Sequence, residues 1–209
     1  MPRRIVLTKA GGPNTLAVIP MDMPEPKAGE IRIEVAYAGI NFADLLMRLG
    51  LYQPRPKYPF TPGYEMSGTV NAIGEGVTDF TVGQRVVAGL PNGGQASHVI
   101  VPSHRALALP DDVGLDVAAA IPVTYLTAHH MLHHLGHMKE DDSVLIHGGA
   151  GGVGTAALQI CQWAGVSKVW ATASGHKSST IEAYGGIAID RHNEDFVEVI
   201  KQATNDQGV

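Results

Sequence analysis

The stretch Ser143-Val-Leu-Ile-His-Gly-Gly-Ala-Gly-Gly-Val-Gly154 decides the fold. Its first five residues, Ser143 to His147, read as a short apolar strand, and the residues from Gly152 to about Ala164 read as a helix. Between them runs the pattern Gly149-x-Gly151-x-x-Gly154. In such a turn one glycine permits the tight reversal, a second lets a pyrophosphate approach the backbone, and the third lets the helix pack closely on the strand. The free N–H groups of the first helical turn, around Gly152 and Val153, and the positive end of the helix dipole then face the phosphates. The segment predicts the opening of a doubly wound parallel sheet that binds a dinucleotide.

Downstream, strands are expected at Lys168 to Ala173 and Ile187 to Asp190, with helices at about Lys177 to Tyr184 and Glu194 to Ala203. A site selective for NAD usually carries Asp or Glu roughly 20 residues after the glycine loop, to accept from the ribose hydroxyls. Here that region reads Ala173-Ser174-Gly175-His176-Lys177. A hydroxyl and a cation stand where a carboxylate would repel a 2′-phosphate, so the expected cofactor is NADPH, with Arg191 as a second cation. Ser174 and Lys177 also admit a plainer reading, as a helix N-cap and a solvated first-turn lysine.

Upstream the texture is different. From Glu30 to Tyr37 the pattern has period two, with Ile31, Ile33, Val35 and Tyr37 on one face. Further short strands fit Arg4 to Thr8, Gly68 to Ile73, Arg85 to Ala88, Ser97 to Val101 and Ala106 to Leu109. One helix, about Phe42 to Leu49, interrupts them and is stopped by Gly50. A loop rich in proline follows, with Pro54, Pro56, Pro59 and Pro62. After Pro110, Ala-rich helical segments at about Leu115 to Ile121 and Val123 to Leu135 lead into the glycine-loop strand. The expected division is a mostly β domain over 1–120 and an α/β domain over 121–209.

Three segments resemble the zinc-independent quinone oxidoreductases of the medium-chain dehydrogenase/reductase superfamily: Gly39-Ile-Asn-Phe-Ala-Asp-Leu45 with Gly50-Leu-Tyr52, then Pro62-Gly-Tyr-Glu-Met-Ser-Gly68, and the glycine loop itself. A vesicle-associated branch has an especially similar Asn-Phe-Ala-Asp segment. The resemblance implies a GroES-like β domain followed by a Rossmann domain, with a substrate cleft between them and a homodimer at full length. It places Asn41, Asp44 and Tyr52 near the nicotinamide and Thr127 close to its carboxamide. Where zinc alcohol dehydrogenases of the superfamily place a cysteine and a histidine ligand, this chain has Asn41 and Tyr64. No zinc is therefore expected. An alcohol needs help to lose its proton, whereas a quinone or enone already accepts hydride, and Asn41 amide or Tyr52 hydroxyl would stabilise the charge that develops on oxygen. Each of the three has a plainer alternative: Asn41 as a turn residue, Asp44 as a first-turn helix acid, Tyr52 as loop packing.

Composition narrows the partners. Fifteen Lys and Arg against twenty Asp and Glu give a net charge of −5, with no basic block, which argues against nucleic acid. No apolar run fits a signal peptide or a membrane span. A single cysteine, Cys161, excludes an internal disulfide framework, fits a reducing cytoplasm, and reads as a small core residue. His129, His130, His133, His134 and His137 share helix faces, yet no carboxylate or cysteine is interleaved, and they read as a solvated face. The leading expectation is NADPH-dependent hydride transfer to a quinone or activated enone. Alternatives are an enoyl-thioester reductase, or a nucleotide-binding, vesicle-associated or regulatory protein with little turnover. Only three strands follow Pro110, half of a Rossmann sheet, so the chain is expected to be a fragment, poorly stable alone, with Val144, Leu145 and Ile146 laid bare along an unpaired edge.

Overall fold

The computed structural model describes residues 1–53 and 55–209. Pro54, the first proline of the expected loop, lies outside the described residues. The chain forms two compact units, Met1–Val123 and Thr124–Val209.

The first unit is an antiparallel β structure. Strands β1 (Arg3–Leu7) and β2 (Leu16–Pro20) pair with each other. Strands β3 (Glu30–Ala38), β4 (Glu65–Ile73), β5 (Arg85–Gly89), β6 (His98–Pro102) and β7 (Ala106–Ala108) form a sheet in the order β6-β3-β4-β5-β7. Its core is apolar side chains spaced two apart, among them Ile31, Ile33, Val86 and Val101, closed by Met66 and Val70. The expected alternation along β3 holds as far as Val35. There the register with β4 slips, Val35 facing Gly68 and Tyr37 facing Ser67, and the bulge turns Tyr37 out to solvent. Strand β2 has no counterpart in the sequence reading. Leu16 and Val18 are exposed apolar residues, so Leu-Ala-Val-Ile-Pro shows no polar alternation to reveal a strand.

Helix α1 (Phe42–Leu49) takes the expected bounds. Asn41 sits at its N-cap in extended conformation, and Gly50 ends it at φ 78°, in the left-handed region that favours glycine. Helix α2 (Leu115–Ala118) is shorter than the alanine content suggests.

Helix α3 (Pro122–His129) starts with the last two residues of the first unit and continues in the second as a π-helix over His130–Leu135. Then come β8 (Ser143–His147), α4 (Gly152–Trp163), β9 (Lys168–Ala173), α5 (Ser178–Ala183), β10 (Ile187–Asp190) and α6 (Phe196–Thr204). The strands are parallel, in the order β10-β9-β8, as alternating strands and helices require. Both faces of the sheet are covered. On one, Ala156, Leu158 and Cys161 of α4 meet Ile146, Val169 and Ala171. On the other, Trp170, Ile189 and Ile200 pack together with Leu145. The expectation that Val144, Leu145 and Ile146 are laid bare therefore holds only for the backbone edge: among the described residues β8 pairs with β9 alone, but Ile146 is 8% exposed.

Cys161 is fully buried and lies 3.6 Å from the Met138 sulfur, and burial pushes its thiol up to about 11. The thiol should resist an aromatic disulfide reagent near neutral pH until the unit unfolds, with the modification rate tracking denaturant. Rapid modification of the native protein would contradict this packing.

Candidate nucleotide and substrate sites

In the second unit the glycine loop is fixed by β9. Gly149 N–H donates to the Thr172 carbonyl at 2.9 Å, and Gly148 N–H to the Thr172 hydroxyl at 3.2 Å. Thr172 is buried, and no pattern around it in the chain signals that it anchors the loop. A Cβ on Gly149 would come within 2.5 Å of the Ala171 Cβ, and one on Gly154 within 2.3 Å of the Gly148 carbonyl oxygen. These two glycines let helix and strand touch. At exposed Gly151 the only near neighbour of such a Cβ is the Gly148 oxygen at 3.2 Å, so the backbone there stays open to a ligand. Helix α4 begins at that point, with Gly151 as its cap and the exposed Gly152 and Val153 in its first turn. Its leading N–H groups have no partner within the helix and suit a phosphate. The loop borders a cavity of about 390 Å³ lined by Ala128, Leu132, Ile146, Gly151 and Val153 among others. Thr127 is not in its wall. It is exposed on α3 and lines a separate hollow with His130 and His134.

At the carboxyl ends of β9 and β10 a polar cluster forms. Ser174 precedes a 3-10 turn, Gly175–Lys177, but its side chain caps nothing. Its Oγ instead lies 3.4 Å from Nε2 of His192. Arg191 Nε donates to the same nitrogen at 3.4 Å. Lys177 is exposed on the adjoining turn. The fold also brings in a carboxylate that spacing along the chain did not suggest: Asp190 Oδ2 would lie 2.5 Å from a Cβ on Gly175. Asp190 is held ionised, below the usual carboxylate range, by the His192 N–H and then by the Asn193 amide.

In the first unit, Asn41 is hydrogen-bonded to Asp44 and also to Glu65, which the sequence reading passed over. Asn41 Nδ2 donates to Glu65 Oε1 at 2.7 Å, and Val123 N–H donates to Glu65 Oε2 at 2.8 Å. Glu65 is 2% exposed, so both oxygens are spent inside the unit. Asp44 accepts from the N–H groups of Asn41 at 2.9 Å and Gly63 at 3.1 Å, tying α1 to the turn before β4. Burial pushes the Asp44 carboxyl above its ordinary value, against those two N–H groups, which pull it down. Tyr52 is half-buried on the cluster of Leu7, Met47 and Phe60 and meets the Tyr64 ring edge-on at 6.4 Å. Desolvation, then the neighbouring Tyr52 and Asp44, push the Tyr64 phenol up to about 12. The signal for Glu65 was its place at the head of the apolar strand Glu-Met-Ser-Gly-Thr-Val, where an acid must be paired.

Asp44→Ala strands two N–H groups, and Glu65→Gln sets an NH₂ against one of its two donors. Each should lower stability by about 1–3 kcal/mol, read from urea midpoints. Unchanged midpoints in both would show that these carboxylates do not organise the unit.

With this geometry in view, residues 27–111 match the family described as the alcohol dehydrogenase GroES-like domain. The chain is 40% identical over 203 residues to the synaptic vesicle membrane protein VAT-1 homolog of Danio rerio, covering 96% of this chain and 42% of that protein. It is 34% identical over 211 residues to a quinone oxidoreductase of Lama guanicoe, covering 99% of this chain and 64% of that protein. Among solved structures, the CurK enoyl reductase matches with a TM-score of 0.93 at 35% identity, over 100% of this chain and 65% of that one. A mycobacterial protein complexed with NADPH matches with a TM-score of 0.88 at 34% identity, over 99% and 65%. The chain thus spans about two fifths to two thirds of the length of these relatives. With its GroES-like sheet, its parallel sheet and these likenesses, the chain belongs to the quinone oxidoreductase-like branch of the medium-chain dehydrogenase/reductase superfamily.

Proposed function

We propose that the chain belongs to an NADPH-dependent reductase that delivers hydride to a quinone or a similarly activated carbonyl or enone without zinc. The observation that carries this reading is the pairing, in one unit, of an open glycine loop at the head of α4 with Ser174, Lys177 and Arg191 at the ends of the next two strands. The first-turn N–H groups of Gly152 and Val153 would hold the pyrophosphate, and the hydroxyl and two cations the 2′-phosphate. NADPH, when bound, supplies the hydride. A relative solved with NADPH supports the choice of nucleotide.

The donor set of the first unit does not suit a metal. Asn41 gives its amide nitrogen to Glu65, and Tyr64 is held as a neutral phenol, so neither offers the anionic or imidazole ligand that zinc prefers. What Asn41 retains is a second N–H, and Tyr52 carries a hydroxyl. Both are neutral donors able to stabilise charge arriving on a substrate oxygen. We assign them the substrate side and Asp44 the support beneath them. Thr127 is kept as a candidate for the nicotinamide carboxamide on the family resemblance alone. No helix among the described residues is long and apolar enough to cross a membrane, and the proposed setting is the cytoplasm, as a homodimer when full length.

The likeness to an enoyl reductase favours a second substrate class, the enoyl thioester, for the same donors. The likeness to VAT-1 homologs favours a nucleotide-binding protein with little turnover. NADPH oxidation in the presence of a chelator, with a simple quinone against an enoyl thioester, separates the three.

Under the main reading the quinone is reduced, and Lys177→Ala combined with Arg191→Ala cuts the preference for NADPH over NADH by about tenfold to a hundredfold. Tyr52→Phe lowers kcat with nucleotide affinity unchanged. An NADH preference in the unaltered protein would reject the assignment of nucleotide.

A further inference from the structure

The cluster at the ends of β9 and β10 contains a group with no assigned task. His192 is exposed, and its Nε2 is the point on which Ser174 Oγ and Arg191 Nε converge, both at 3.4 Å. These contacts are long for strong hydrogen bonds. They bring a hydroxyl, a guanidinium and an imidazole from two neighbouring strand ends around one small space. Because Arg191 can only donate, the nitrogen facing it is the unprotonated one.

The nearest acidic group, Asp190, is engaged by backbone N–H groups and by Asn193, and its charge also acts on His192. Asp190 accepts from the His192 N–H at 3.1 Å and the Asn193 amide at 2.6 Å, so its charge secures the backbone that carries His192. Glu194 accepts the Asp190 N–H at 2.7 Å. The remaining titratable groups close by are His176 and Lys177, on the turn after β9.

We propose, resting on the NADPH reading above, that His192 is a further ligand of the 2′-phosphate and takes up a proton when the phosphate binds. A phosphate dianion presents three acceptor oxygens, which Arg191, Ser174 and a protonated imidazole can each meet with a donor. Arrival of the phosphate draws the Arg191 guanidinium to itself and frees Nε2. Imidazole is the side chain that can then accept a solvent proton near physiological pH. Affinity for a nucleotide bearing a 2′-phosphate should therefore rise as pH falls from about 8 to about 6.5, by about fourfold for a one-unit change in proton affinity on binding. Protonation of the phosphate itself, with a second pKa of about 6, acts in the opposite sense.

The test measures dissociation constants of 2′,5′-ADP and 5′-AMP at both pH values, for the unaltered chain, His192→Gln and Lys177→Ala. His192 is exposed, so its replacement leaves the core intact. The proposal expects tighter 2′,5′-ADP binding at the lower pH, no such gain for 5′-AMP, and loss of the gain in His192→Gln. If Lys177→Ala weakens 2′,5′-ADP while His192→Gln keeps both affinity and pH response, the His192 assignment is overturned and the NADPH reading stands. A pH response that survives in His192→Gln assigns the proton to His176 instead. If 2′,5′-ADP binds no more tightly than 5′-AMP to the unaltered chain, the NADPH reading itself has failed.

Discussion

The second unit depends on one close approach, that of the first turn of α4 to the end of β8. Gly154 lies against the carbonyl of Gly148, and Gly149 against Ala171 of the next strand, with no room for a side chain at either. This contact sets where α4 starts. It also places Ala156, Leu158 and Cys161 over the sheet, and their burial supplies much of the apolar core. The same contact puts the first-turn N–H groups of α4, which have no partner within the helix, at its exposed end. The proposed place for a phosphate would thus be a by-product of the packing that stabilises the fold.

The first unit solves a different problem with buried acids. A carboxylate taken from water costs several kcal/mol unless donors replace the solvent, and both Asp44 and Glu65 have found theirs. Glu65 collects an amide from the N-cap of α1 and an N–H from the start of α3, while Asp44 collects N–H groups from that cap and from the turn before β4. Asn41 is held between them. Its backbone is tied to Asp44 and its amide to Glu65, so the side chain is held in one orientation, as the proposed role of a preorganised donor would require.

The parallel half was legible because its signals are local. The strand Ser143–His147, the glycine turn and the helix after it each follow from neighbouring residues, and β9 and β10 follow from apolar runs of strand length. Helix α1 was legible for the same reason, between Asn41 and Gly50. What escaped was set by contacts between distant residues. Strand β2 is called into being by β1, since Leu16 and Val18 carry no alternation of their own. The bulge that turns Tyr37 outward belongs to the pairing of β3 with β4. At the candidate sites, Ser174, Lys177 and Arg191 could be named from spacing. Asp190 and His192 adjoin Arg191 in the chain, but their contacts with Gly175 and Ser174, like that of Glu65 with Asn41, form only on folding.

In the proposed function the head of α4 and the ends of β9 and β10 together grip a phosphorylated dinucleotide. Amide chemical shifts recorded while NADPH is titrated into the isotopically labelled chain test it most directly. The largest changes are expected on the backbone of Gly149 to Val153 and of Ser174 to Lys177. Saturable binding whose shifts leave both segments unmoved would contradict it.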